Sequence, residues 1–187
     1  MRNKIKNILI IILILIGSLL TTTKVLFLNL FSHSLPYGIY LRINGVPRAG
    51  DYASSFLTQE IANYGRNRGY LGKGYSRTGI IPILKIIRGV PGDRYSVQNG
   101  FFELGGQRYQ MSQKDPSGRP LRPFYHGNFG ILGPGEYLLL SNYSPYSWDS
   151  RYWGPVTIEF LFKPLFIWEL SNPKIKFGRI LDTYKYQ

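Results

Sequence analysis

Cysteine is absent from the 187 residues, which excludes a disulfide framework, a thiol nucleophile and a cysteine-ligated metal. Histidine occurs only as His33 and His126, too few for a histidine-rich metal site and leaving a Ser-His-Asp triad few candidates. No cofactor and no metal are expected. Acidic residues are scarce, 10 against 23 Lys and Arg, giving a net charge of +13. That charge is scattered, with no dense basic run and no nucleic-acid module, so no nucleic-acid partner is expected. Attraction to anionic lipid head groups, or solubility alone, accounts for it. Long apolar runs are missing too, with one exception at the N-terminus.

That exception is nearly continuous from Ile8 to Leu20. A helix over residues 5–23 rises ~1.5 Å per residue to about 28 Å, close to the thickness of a hydrocarbon core. Arg2, Lys4 and Lys6 precede it, which predicts a cytoplasmic N-terminus and a domain beyond the membrane. The rival reading, a cleaved leader, lacks an Ala-x-Ala-like end, because Thr21, Thr22, Thr23 and Lys24 stand there. Residues 1–24 are therefore read as a membrane anchor or signal, 25–170 as one domain and 171–187 as a basic tail.

Within the domain, 21 Gly, 12 Pro and 15 Tyr punctuate short runs. This predicts a mostly β fold, a single β domain with one short helix, preceded by the N-terminal transmembrane helix. The helix is expected over 58–68, where Thr58 can cap and Ile61 and Tyr64 share a face. Strands are expected over 39–43, 80–87, 136–141 and 156–162, with hairpins around Asn99-Gly100 and Gly105-Gly106. The apolar aromatic stretch 160–168 suits either a membrane interface or a core strand. The glycine-rich loop 68–74 lacks the spacing of a phosphate-binding loop.

Two residues carry candidate chemistry. Lys85 sits between Ile83-Leu84 and Ile86-Ile87. A lysine so placed either snorkels at a sheet edge or is buried, and burial lowers its pKa toward that of a general base. On this stretch alone both readings stay open. Ser34 precedes Leu35, Pro36 and Gly38, a sharp turn that would leave its hydroxyl exposed. A serine nucleophile needs such a base. Ser32, two residues earlier, can join the Ser34 backbone N–H in holding an oxyanion.

Taken together, Ser32-His33-Ser34-Leu35-Pro36, Leu84-Lys85-Ile86-Ile87-Arg88-Gly89-Val90-Pro91-Gly92-Asp93 and Ser147-Trp148-Asp149-Ser150-Arg151-Tyr152-Trp153-Gly154 resemble the nucleophile region, lysine box and final box of the type I signal peptidase superfamily, in the same order. Pro36 stands one place closer to the serine than in the usual pattern. Within that superfamily, Ser34-Leu35-Pro36-Tyr37-Gly38-Ile39-Tyr40 and Asp115-Pro116-Ser117-Gly118-Arg119-Pro120-Leu121 are most similar to the TraF-type conjugal transfer peptidases, which mature pilins.

The resemblance implies a signal-peptidase-like β domain. It makes Ser34 the nucleophile and Lys85 the general base, with Ser32 and the Ser34 N–H as oxyanion donors. It implies that Ser147 orients the Lys85 amine, and that Asp149 and Arg151 pair beside the site. The implied partners are a membrane-bound pilin or preprotein and the lipid bilayer. The implied location is the inner membrane with the catalytic domain in the periplasm. The acyl-enzyme can be resolved by water or by the substrate's own amine, which would close a ring, and the sequence leaves these open. A general signal peptidase and a non-enzymatic envelope or pilus-assembly domain stand as the alternatives.

Overall fold

Glycine-marked turns cut this chain into short strands. A computed structural model describes residues 2–22, 25–30, 34–74, 76–125, 127–141 and 147–167. In chain order its elements are α1 (Arg2–Thr22), β1 (Leu26–Asn29), β2 (Gly38–Ile43), β3 (Tyr52–Ser55), α2 (Gln59–Asn67), β4 (Leu84–Gly89), β5 (Arg94–Gln98), β6 (Phe101–Leu104), β7 (Gln107–Gln110), β8 (Phe129–Ile131), β9 (Leu138–Leu140), α3 (Ser150–Trp153) and β10 (Ile158–Ile167). The architecture is mostly β, as the turn-rich composition predicts. The basic tail, 171–187, lies outside the described residues.

Two compact units emerge from the chain's contacts. The larger comprises the described residues of 33–35 and 43–162. Its first sheet runs in the order β10-β3-β4-β9 and its second in the order β7-β6-β5-β8. Ala53 of β3 pairs with Lys85 of β4, and Ile87 of β4 pairs with Leu139 of β9. Side chains alternate along a strand, so one face of this sheet carries Ala53, Lys85, Ile87 and Leu139. That face packs on Leu57, on Ile61 and Ala62 of α2, and on Trp148, Tyr152 and Trp153. Leu138 and Leu140 turn the other way, onto Phe102, Leu104 and Tyr109 of the second sheet.

The local reasons are legible. Thr58 caps α2, its hydroxyl accepting the Ile61 N–H at 3.4 Å, a contact of ~1 kcal/mol. Asn99 and Gly100 have φ of 51° and 79°, the left-handed pair that a tight hairpin turn needs. The strand expected over 80–87 begins only at Leu84. Pro82 has no N–H for a ladder, and the residues before it pair instead with the glycine-rich loop. Ile80 bridges Lys73, and the Ile81 N–H donates to the Gly72 carbonyl at 3.0 Å. A Cβ on Gly74 would stand 2.5 Å from the Ile80 carbonyl oxygen, so the loop's glycines serve close backbone approach. Strand β10 runs five residues past the expected end at Phe162, and Leu161 and Phe162 are core residues.

The smaller unit comprises the described residues of 1–32, 36–42 and 163–187. Here β1 and β2 pair antiparallel, Asn29 opposite Gly38. The Pro36 carbonyl accepts from Asn29 Nδ2 at 3.1 Å and from the Tyr40 hydroxyl at 2.6 Å. A Cβ on Gly38 would collide with the Phe166 carbonyl. Pro36, Gly38 and Tyr40 thus fix the backbone that follows Ser34 in the chain. Helix α1 forms where the apolar run predicts one, and its side chains from 8 to 16 are exposed. A transmembrane span is not thereby shown: among the described residues no helix is long and apolar enough to cross a membrane.

Candidate active site

Lys85 is a cation on the core face of an inner strand, β4, which lies between β3 and β9, a position where a β-sheet rarely tolerates charge. Leu84 and Ile86 flank it, Ala53 pairs with it, and it is 5% exposed. Burial pushes its amine down from the ordinary 10.5 to about 8, while the Asp149 carboxylate pulls it up and the Arg151 guanidinium pushes it down. At pH 7 about a tenth of such an amine is neutral, against roughly three in ten thousand for an ordinary lysine. Snorkelling is therefore not its solution; it is held inside.

The segment 147–153 supplies the charges that Lys85 feels. Asp149 caps the single turn of α3, its carboxylate accepting the Arg151 N–H at 3.1 Å. The Arg151 side chain returns to the same carboxylate through Nε at 2.8 Å and Nη2 at 2.9 Å. Both residues are buried. Burial opposes the guanidinium charge, but the Asp149 carboxylate outweighs it and holds Arg151 above its ordinary pKa. Arg151 also donates to the Ser147 carbonyl at 3.2 Å and to the Gln110 carbonyl at 2.7 Å. The ion pair thereby fixes the backbone of Ser147. Trp148 anchors the same segment, stacked on Tyr64, Tyr70 and Tyr152 with centroids 5.4, 5.3 and 5.1 Å away.

Ser34 meets this segment directly. Its Oγ lies 3.4 Å from Ser147 Oγ, across 113 positions of sequence. Its carbonyl accepts from the Ser141 hydroxyl at 2.6 Å. The structure thus brings Ser34 and Ser147 together, and sets Lys85 in the field of Asp149 and Arg151. A Ser34–Lys85 hydrogen bond and a Ser147–Lys85 hydrogen bond are not among the contacts of the described residues. Ser32 lies outside the described residues. Among the described residues no group of three or more His, Cys, Asp or Glu could hold a metal ion.

Two contributors are not apparent in the residues' spacing. Ser141 joins the site from the end of β9, and its N–H donates to Asp149 Oδ2 at 3.1 Å. The signal that could reveal it is a serine closing an apolar strand that pairs with the lysine strand. Ser150, fully buried, accepts the Leu139 N–H at 3.0 Å and ties the segment to β9. Further off, Asp115 anchors its turn. Burial favours its neutral form, but the Arg119 N–H and the Arg68 and Arg119 side chains outweigh that and hold its carboxyl below the usual range.

The family model described as signal peptidase, peptidase S26 matches residues 4–162. A plasmid transfer protein TraF of Escherichia coli is 30% identical over 162 residues, 82% of this chain and 85% of that protein. A second plasmid transfer protein TraF of Escherichia coli is 29% identical over 160 residues, 81% of this chain and 84% of that protein. A probable conjugal transfer protein TraF of Sinorhizobium fredii is 35% identical over 94 residues, 49% of this chain and 47% of that protein.

Proposed function

The chain belongs to the signal peptidase S26 family, and from that premise we propose that it is a membrane-anchored serine endopeptidase that processes pilin precursors for conjugative transfer, with Ser34 as nucleophile and Lys85 as general base. The observation that carries this reading is the burial of Lys85, which brings its amine to about 8. The names of the TraF relatives, plasmid and conjugal transfer proteins, support the conjugative setting.

The neutral Lys85 amine takes the Ser34 hydroxyl proton as Ser34 Oγ attacks the scissile carbonyl. The Ser34 N–H and the Ser32 hydroxyl receive the oxyanion. The Lys85 ammonium then returns the proton to the departing amine, leaving an acyl-Ser34 ester. Water, or the substrate's own amine, resolves the ester. Ser147, fixed through Arg151, stands at Ser34 Oγ and orients the exchange. Hydrogen bonds of a resting site commonly tighten only when substrate is bound, and the dyad contact forms at that stage.

The anchor is α1. Its apolar side chains from 8 to 16 are exposed, which suits contact with lipid. Arg2, Lys4 and Lys6 keep the N-terminus in the cytoplasm and place the catalytic residues on the periplasmic side of the inner membrane. The test is processing of a pilin precursor in membranes bearing wild type, Ser34→Ala or Lys85→Ala, with product masses read by mass spectrometry. Both substitutions abolish processing while the protein still accumulates. Normal processing by either variant overturns the assignment, and efficient cleavage of an unrelated secretory preprotein replaces the pilin role with a general one.

A further inference from the structure

Ser34 stands outside any strand or helix. A nucleophile in irregular chain must be positioned by tertiary contacts, because no ladder or helix fixes its backbone. One contact that reaches its backbone comes from Ser141, 107 positions away, whose hydroxyl donates to the Ser34 carbonyl at 2.6 Å. This is at the short end for an O–H to O bond. Ser141 is 2% exposed, so water does not readily replace the donor.

The same residue touches the other parts of the site. Its N–H donates to Asp149 Oδ2 at 3.1 Å, the carboxylate that holds Arg151 and raises the Lys85 amine. Ile87 pairs with Leu139 and Ile86 with Leu140. Continuing that register by one residue sets Ser141 opposite Lys85. Residue 141 therefore links three things that must be mutually placed: the backbone of the nucleophile, the strand of the base and the carboxylate beside it.

We propose that Ser141 is a positioning residue for the peptidase reaction, holding the Ser34 carbonyl so that the Ser34 hydroxyl is aimed for proton transfer. The inference rests on the reading of Ser34 as nucleophile. The Ser34 carbonyl and its side chain share one Cα, so a carbonyl fixed by a buried donor limits the arc through which Oγ can swing. Loss of the Ser141 hydroxyl frees that carbonyl without removing any reacting group. The consequence falls on the chemical step and leaves substrate binding alone.

The test compares full-length wild type, Ser141→Ala, Ser141→Cys and Ser141→Thr in membranes, using a pilin precursor under steady-state conditions across pH, with Ser34→Ala alongside. Ser141→Ala and Ser141→Cys are expected to lower kcat roughly tenfold, the scale of one lost buried hydrogen bond. KM, the apparent pKa of the acid limb and the unfolding midpoint stay near wild type. Ser141→Thr, which keeps the hydroxyl, retains most of the rate. Wild-type kcat in both Ser141→Ala and Ser141→Cys, or a loss that tracks the unfolding midpoint and is not rescued by threonine, overturns the proposal. An active Ser34→Ala overturns the nucleophile assignment itself. An inactive Ser34→Ala beside a fully active Ser141→Ala overturns the positioning role alone.

Discussion

Replacing Lys85 by Met should stabilise the protein at neutral pH while abolishing its activity. Lys85 is 5% exposed, and its amine is brought from 10.5 to about 8 by burial. The two values differ by an amount worth roughly 3 kcal/mol at ~1.4 kcal/mol per pH unit. The sign follows from proton counting. Between pH 8 and 10.5 the unfolded chain binds a proton at this lysine that the folded chain does not, so stability rises with pH through that window. Below pH 8 the amine is charged in both states and the full penalty is present; above 10.5 it has vanished. Methionine keeps the length of the side chain and carries no charge. At pH 7 the variant should therefore be more stable by about 3 kcal/mol, which for a chain of this size raises the unfolding midpoint by roughly 6–12 °C. The assay is urea unfolding of the full chain in non-ionic detergent, followed by tryptophan fluorescence, at intervals from pH 7 to 10.5. Tyrosines of the unfolded chain also titrate near the top of this range, while partly buried Tyr70 is pushed up by burial to about 12 in the folded protein. They contribute equally to both proteins, so the difference between the two curves isolates Lys85. That difference should shrink to near zero by pH 10.5. A difference that stays flat across the window would mean that Lys85 is as protonated when folded as when unfolded, and that burial does not depress its amine.

Further outcomes follow from the same geometry. Asp149→Asn leaves the Arg151 guanidinium, 2% exposed, without its carboxylate, and should cost about 3–5 kcal/mol in chemical unfolding. Because Asp149 raises the Lys85 amine, the folded fraction of that variant should show the acid limb of its pH–rate profile moved to lower pH. For wild type that limb should centre on about pH 8, the Lys85 value, with the rate rising toward alkaline pH. Gly65→Ala would set a Cβ 2.7 Å from Leu71 Cδ1 and 2.8 Å from Trp148 Nε1. Overpacking there should cost about 1–3 kcal/mol and change the near-ultraviolet dichroism of the stacked Trp148.

What was legible in the sequence had a local cause. The α2 helix could be read from Thr58 and the apolar spacing after it, and the hairpins from Asn99-Gly100 and Gly105-Gly106, because a cap and a left-handed turn are decided within a few residues. Lys85 stood out because a cation in an apolar strand has few places to go. The pairing of Asp149 with Arg151 is two residues apart in sequence and was implied by the family resemblance. Less legible was anything decided across the fold. The late start of β4 depends on the 72–73 backbone offering Ile80 and Ile81 another partner. The extension of β10 through Pro164 to Ile167 depends on neighbours that its own sequence does not name. Ser141 was invisible as a site residue because its contact is to a main-chain carbonyl 107 positions away, for which the identity of residue 34 gives no sign. The stacking of Trp148 between tyrosines from 64, 70 and 152 is likewise a product of packing.

The central claim is that Ser34 becomes covalently acylated with Lys85 as its base. Its most direct test is a single turnover of a pilin precursor by the full-length chain, quenched in acid within the turnover time and digested for peptide mass mapping. An acyl adduct is expected on the peptide bearing Ser34 in wild type, and none in Lys85→Ala or Ser34→Ala. An adduct on another residue, or an undiminished Ser34 adduct in Lys85→Ala, would contradict that claim.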